Sequence, residues 1–68
     1  MVPTMDRWTG AQIAEARKAA GLRQADVAAR LGVSAHRIRN VEEQARVAND
    51  FRDRVLLAIV ALVAERGA

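Results

Sequence analysis

The chain has 68 residues, with no cysteine, one histidine and a formal net charge of +3. A chain of this length forms one small domain, residues 1–68, whose stability is marginal without some additional support. The composition excludes a disulfide, and a single histidine without a thiol disfavours a zinc site. We therefore expect no metal and no cofactor, and we expect oligomerisation to supply the missing support.

Residues 1–7 are predicted to form a loose tail, because Pro3 disfavours an early helix. The tail contains no apolar run of the kind found in a secretory signal. Together with the lack of cysteine, this favours a cytoplasmic protein.

A first helix is predicted from about Gly10 to Ala20, with either Asp6 or Thr9 as its N-cap. Trp8 is the only tryptophan of the chain. We expect it to pack over the start of this helix, although it could instead face a partner.

Residues 24–43 have the spacing of two short helices joined by a tight turn, a helix-turn-helix. The first of these, from about Gln24 to Leu31, turns a stripe that includes Val27 toward the interior. Gly32 follows it at a position where the backbone commonly becomes left-handed, which glycine does without a steric penalty.

The second helix of the motif is predicted from about Ser34 to Glu43, with Ser34 as its N-cap. Ile38 and Val41 are three residues apart and anchor this helix toward the interior. The residues that then face outward are Ala35, His36, Arg37, Arg39 and Asn40. Residues 17–46 carry seven basic and three acidic side chains, and such a surplus strengthens binding to phosphates.

This pattern resembles the phage repressor and Cro family of helix-turn-helix proteins, also called the xenobiotic-response-element (XRE) type. The residues that carry the resemblance are Ala16–Leu22, Gln24, Leu31–Ser34 and Ile38–Glu42. The resemblance implies an all-α, lambda-repressor-like bundle of four to five helices, whose second motif helix lies in the major groove of DNA. It also implies that Gln24 holds a phosphate and that Arg17 pairs with Glu42. The chain departs from the family pattern at residues 43–45, Glu-Gln-Ala, where members usually have Asn-Gly and a basic residue.

Side-chain chemistry assigns base contacts to the outward face of the second motif helix. Arg37 and Arg39 can bind the O6 and N7 atoms of guanine, or a phosphate. Asn40 suits adenine, His36 can donate or accept at a base edge, and Ala35 offers a methyl group to thymine. Phosphate contacts are predicted for Arg23, Gln24, Ser34 and Arg46.

The last helix is predicted over about 50–66, starting at Asn49 or Asp50, with an acidic first turn that suits the helix dipole. Its apolar run, Val55–Ala64, is about 15 Å long as a helix, half the thickness of a bilayer core. We therefore expect no membrane span.

A helix that is apolar on all sides must be covered on more than one side. One stripe is expected to close over the core: Phe51, Val55, Ile59 and Leu62. Three short helices cannot cover the rest, so we expect a second face to meet its copy in a symmetric homodimer. The interface is expected to be drawn from Leu56, Ile59, Val60 and Val63, with the choice of face left open.

These features predict a sequence-specific DNA-binding transcriptional regulator, a dimeric repressor that binds a near-palindromic operator in double-stranded DNA. Two alternatives stay open: an antitoxin-type autorepressor, and a helix-turn-helix module that binds protein but not DNA. An enzyme is disfavoured, because the chain has no nucleophile with a base, no paired carboxylates in an apolar setting and no phosphate-cradling glycine loop. No small-molecule ligand is evident from the sequence.

Overall fold

The computed structural model describes residues 8–67. Its four helices are α1 (Gly10–Ala19), α2 (Gln24–Leu31), α3 (Ala35–Glu42) and α4 (Asn49–Gly67), and no strand occurs over this range. The all-α prediction is confirmed, with four helices. The predicted tail at 1–7, with Pro3 and the alternative cap Asp6, lies outside the described residues and stays a prediction.

Helix α1 begins with a capping box built on Thr9. The Thr9 Oγ1 accepts from the backbone N–H of Gln12 at 3.1 Å, and the Gln12 Oε1 accepts from the backbone N–H of Thr9 at 2.8 Å. Two otherwise unpaired amides are therefore satisfied. Trp8, just before the cap, is half-buried against the core, and its carbonyl accepts from the backbone N–H of Val47 at 2.7 Å.

The start of α1 lies directly against the end of α3, and Gly10 is the point of contact. A Cβ atom at Gly10 would lie 2.3 Å from the carbonyl oxygen of Val41 and 2.4 Å from that of Glu42. The backbone N–H of Gly10 also donates to the carbonyl of Gln44 at 2.8 Å. The two helices therefore approach closely enough for only glycine to fit without a shift of the backbone.

The turn of the helix-turn-helix joins α2 to α3 as the sequence predicts. Gly32 ends α2 in the left-handed region, with φ at +72°. Ser34 caps α3, since its Oγ accepts from the backbone N–H of Arg37 at 3.1 Å. Both ends of this short connection are thus fixed by local chemistry.

The core lies where the four helices meet, with α2 packed on both α3 and α4, and α1 on the same two helices. Its largest fully buried side chains are Ile13, Val27, Ile38, Val47 and Val55. The inward anchoring of α3 through Ile38 and Val41 is confirmed, because both are buried.

Helix α4 buries one face and exposes another. Its first stripe closes over the core, with Val55 and Ile59 buried. The most exposed large apolar side chains of residues 8–67 are Leu57 (70%), Val60 (65%) and Val63 (44%). No helix in this part of the chain is long and apolar enough to cross a bilayer.

Two residues of the predicted homodimer interface lie differently from the expectation. Ile59 is only 7% exposed and belongs to the core of the subunit, and Leu56 is half-buried against that core. Leu57, which belongs neither to the predicted core stripe nor to the predicted interface, is open to solvent. Ile59 therefore offers almost no surface to a partner, because its side chain is covered within its own subunit.

Candidate nucleic-acid interface

The outward face of α3 is open along its whole length. Opposite the buried Ile38 and Val41, five side chains are exposed: Ala35, His36, Arg37, Arg39 and Asn40. The helix thus presents two guanidinium groups, an imidazole and an amide on a rigid, anchored backbone. These groups have the hydrogen-bonding chemistry required to read base edges in a major groove.

Arg37 is held at the junction of α3 and α4. Its guanidinium carbon lies 5.0 Å from the centroid of the Phe51 ring, a distance typical of a cation–π contact. Phe51 is half-buried in the first turn of α4 and packs against the core. The contact restrains the long Arg37 side chain while leaving it exposed, so its charge remains open to a phosphate or a base.

Arg39 forms an ion pair with Glu43, one helical turn away. The Arg39 Nε lies 3.6 Å from the Glu43 Oε2, and both side chains are about two-thirds exposed. Exposed pairs of this kind contribute at most about 1 kcal/mol. The pair therefore leaves Arg39 available to a stronger partner, although Glu43 adds a negative charge beside it.

The four residues predicted to contact phosphates differ in whether their side chains already have partners within the protein. Arg23 and Arg46 are exposed, and the Arg23 guanidinium makes only a long contact of 3.5 Å with the Asp26 carboxylate. Gln24 instead donates from its Nε2 to the Glu42 Oε1 at 3.0 Å. The Ser34 Oγ accepts the α3 capping bond, so these two side chains already have partners within the protein.

Arg17 and Glu42 form a two-pronged ion pair that joins α1 to α3. The Arg17 Nε donates to the Glu42 Oε2 at 2.6 Å, and the Arg17 Nη2 donates to the Glu42 Oε1 at 3.0 Å. The remaining guanidinium nitrogen also has a partner, because Nη1 donates to the carbonyl of Leu22 at 2.9 Å. The two side chains are only 10% and 7% exposed. The structure thus contains the pair that the family resemblance implies, with Gln24 as an unpredicted third member.

This buried cluster keeps Glu42 ionised. Burial by itself raises the pKa of Glu42, but the hydrogen bonds donated by Arg17 and Gln24 and the charges of Arg17 and Lys18 outweigh it. The pKa of Glu42 consequently lies below its usual value of 4.5. A carboxylate that stays charged at neutral pH fixes the end of α3 against α1 and α2.

Gly10 and Gln24 contribute to the site in ways that sequence reasoning missed. Gly10 sets the distance between α1 and α3, and Gln24 ties the start of α2 to the same Glu42 carboxylate. Neither contact has a local signal, because each joins residues far apart in the chain. Within residues 8–67, no group of three or more histidine, aspartate or glutamate side chains could hold a metal ion.

A compact all-α domain with two short helices around a glycine turn, the second bearing an open basic face, defines a helix-turn-helix protein. The sequence profile of the family described as the helix-turn-helix domain matches residues 8–65, and the chain belongs to that family. Neither the curated proteins nor the solved structures gave a significant match to the chain. Family membership indicates DNA binding and transcriptional regulation, in a family that is typically non-catalytic.

Proposed function

We propose that this protein is a sequence-specific transcriptional repressor of the phage repressor and Cro (XRE) type, which binds a near-palindromic operator as a homodimer. The observation that carries the proposal is the geometry of α3, whose Ile38 and Val41 side chains are buried while its basic and amide side chains are all exposed. A helix held in this way can enter a major groove without rearrangement of the fold.

Base readout in this proposal comes from the middle of α3. Arg39 donates two parallel hydrogen bonds to guanine, and Asn40 pairs with adenine. Arg37 and His36 lie nearer the start of the helix and supply a further base or phosphate contact, while Ala35 packs against a thymine methyl group.

Phosphate contacts position this helix on the duplex. Arg23 and Arg46 are exposed at the start of α2 and in the loop after α3, so both can reach the backbone on either side of a groove. The Ser34 and Gln24 side chains would add to these contacts while their internal hydrogen bonds persist, because a hydroxyl and an amide each have a further donor hydrogen.

The experiment is selection of binding sites from a genomic fragment library, followed by gel-shift titration at two salt concentrations. We expect a near-palindromic site with half-sites about one helical turn apart, and an affinity that falls as salt rises. Arg39→Ala and Asn40→Ala should each relax the preference at one base pair, at a cost of about 1–3 kcal/mol. Arg23→Ala should weaken binding to all sequences alike and lower the salt slope by about one.

Arg30→Ala is the matched control for Arg39→Ala. It removes the same charge from the end of α2, where Arg30 pairs with Glu65 of α4 rather than facing outward on α3. We expect this variant to keep the site preference. Binding that is weak and blind to sequence in the unmodified protein would reject the repressor.

Glu43 favours a second candidate, the helix-turn-helix module that binds protein rather than DNA. Its carboxylate is two-thirds exposed beside Arg39 and would face the phosphate backbone if α3 entered a groove. Glu43→Gln discriminates between the two functions. A DNA-binding protein should gain affinity when this charge is removed, whereas the interaction module should still fail to select a site.

A further inference from the structure

Four residues of α4 form a continuous solvent-facing stripe: Leu57, Val60, Ala61 and Ala64, here called the α4 stripe. Their spacing of three, one and three places them on one face of a helix. Leu57 and Val60 are 70% and 65% exposed, Ala64 is exposed and Ala61 is half-buried. Within the described part of the chain, Leu57, Val60 and Ala64 are left open, and only Ala61 is partly covered.

The side chains of the α4 stripe are ordered by size. The two large residues, Leu57 and Val60, come first. The two alanines, Ala61 and Ala64, lie one and two helical turns after Leu57. If two such helices pack antiparallel about a twofold axis between Val60 and Ala61, Leu57 lies opposite Ala64 of the second copy. Val60 then lies opposite Ala61 of that copy, so every large side chain meets a small one. A parallel pairing would set Leu57 against its equivalent and leave gaps between the alanines.

The charges beside the α4 stripe agree with the same register. Arg54 lies seven residues before Ala61, and Glu65 lies four residues after it. Both spacings are close to whole helical turns, so the two charges share one edge of the stripe. None of the carboxylates in residues 8–67 lies within ion-pair distance of Arg54. An antiparallel twofold brings Arg54 within two residues, about 3 Å along the axis, of Glu65 in the second copy. Glu65 already contacts Arg30, and a carboxylate has acceptor sites left for a second guanidinium.

We infer that the α4 stripe binds a second copy of this chain in that antiparallel register. The inference rests on the proposed homodimer and gives it an interface. Of the interface residues that the sequence predicts, the stripe keeps Val60, whereas Ile59 is buried within the subunit and Val63 lies to one side.

The stripe covers only about two helical turns, so its contact area is smaller than the roughly 800 Å² per partner of a standard stable interface. The dimer is therefore weak in the absence of DNA, and its mass must be measured over a range that reaches about 1 mM. Sedimentation equilibrium of the full chain without DNA should show a monomer that converts to a dimer as concentration rises. A monomer throughout this range overturns the inference.

Two charge substitutions locate the interface. Leu57→Glu should abolish the dimer and leave the melting curve of the monomer unchanged, because the side chain is already open to solvent. Val63→Glu, its matched control on the neighbouring side of α4, should leave dimerisation largely intact. An equal loss in both variants, or a larger loss in Val63→Glu, would overturn the register.

Cysteine cross-linking tests the direction of the helices, since the chain contains no cysteine of its own. In the antiparallel register, a mixture of Leu57→Cys and Ala64→Cys chains should form a mixed disulfide under mild oxidation. Leu57→Cys alone should not, because its two copies lie about seven residues, roughly 10 Å, apart along the axis, too far for a disulfide. Rapid self-linking of Leu57→Cys would indicate a parallel pair. Sedimentation, the charge substitutions and cross-linking are all carried out without DNA. The α4 interface can therefore be rejected while operator selection succeeds, and operator selection can fail while the interface is found.

Discussion

Glycine serves two separate purposes in this domain. At Gly32 the backbone itself requires it, because φ is +72° and a Cβ there would meet no atom within 4 Å. At Gly10 the backbone is ordinary α-helix, and the requirement comes from the carbonyl oxygens at the end of α3. Substitution at Gly32 strains the chain locally, whereas substitution at Gly10 separates two helices.

Gly10→Ala should destabilise the fold although alanine is the better helix former. The new methyl group would overlap the carbonyl of Val41, and relief of such overpacking costs about 1–3 kcal/mol in the free energy of unfolding. Urea denaturation measures the loss. Gly67→Ala is the matched control, because it adds the same methyl group into open space, and it should change the free energy by less than about 0.5 kcal/mol. Equal effects of both substitutions would contradict the close approach of α1 and α3.

Glu42→Gln tests the buried ion pair through its dependence on pH. The pKa of Glu42 is lowered by folding, so the folded chain binds this proton more weakly than the unfolded chain. The stabilisation is therefore complete above the usual value of 4.5 and is lost as the pH falls through the lower folded value. At neutral pH the substitution leaves Arg17 buried without an opposite charge, at a cost of about 3 kcal/mol.

The free energy of unfolding is measured for Glu42→Gln and for the unmodified protein at several pH values from 7 to 3. The quantity of interest is the difference between the two proteins at each pH. That difference should be constant at neutral pH and should narrow in acid. Glu15→Gln, an exposed change on α1, serves as the control and should have little effect at any pH. A difference that persists unchanged at pH 3 would show that the charge of Glu42 is not the source of the stabilisation.

Local residue signals predicted the caps and the turn, and failed where contacts are distant in sequence. Gly32 and Ser34 lie where sequence rules place them, and Thr9 is one of the two caps that those rules allow for α1. A cap or a turn depends on only a few neighbouring residues, which is why such rules work there. The ion pair between Arg17 and Glu42 is implied by the family resemblance and not by a local signal. The clash at Gly10 and the bond from Gln24 depend on how α1, α2 and α3 meet, and no window of the sequence contains that information.

At the scale of the helix, α3 depends on Ser34 for its start. Ser34→Ala removes the acceptor for the Arg37 amide and should lower the free energy of unfolding by about 1 kcal/mol. Ser34→Asp keeps a good cap and should retain the stability. The two substitutions therefore separate the capping role of this residue from its predicted phosphate contact.

Binding of DNA should rank these Ser34 variants differently from their stability. Ser34→Asp places a negative charge against the phosphates and should bind the operator most weakly, with little change in site preference. Thermal melts and anisotropy titrations of the three proteins give the two rankings. A Ser34→Asp variant that binds as tightly as the unmodified chain would remove Ser34 from the phosphate contacts.

Helix α4 shows why an apolar run is hard to interpret from sequence. Every residue from Val55 to Ala64 is apolar, so the periodicity that separates a buried face from an exposed one is absent. The spacing of four between Phe51, Val55 and Ile59 still predicts the stripe over the core. The second face depends on where α2 and α1 contact α4, which assigns Leu57 rather than Ile59 to the surface.

Across the whole molecule, exposed ion pairs fasten the last turns of α4 to the helix-turn-helix. Arg30 of α2 pairs with Glu65, and Arg66 lies 3.6 Å from Asp26 and donates to the carbonyl of Gly21 at 3.1 Å. Each such pair is weak, but together they hold α4 in one position over α2. The α4 stripe and the outward face of α3 consequently belong to one rigid domain, and a dimer through α4 would fix the spacing of two α3 helices.

Because of that coupling, the Leu57→Glu substitution should also change the affinity of the protein for its operator. Two half-sites on one duplex raise the effective concentration of the second subunit, so a dimer contact strengthens binding to the full operator and adds nothing at a single half-site. Leu57→Glu should therefore weaken binding to the full operator toward the half-site value and leave half-site affinity unchanged. Anisotropy titrations against full-site and half-site duplexes measure both, with Arg39→Ala as the contrasting variant that should lose affinity for each. If Leu57→Glu left full-site affinity intact, the subunits would bind the operator independently and the interface on α4 would play no part in recognition.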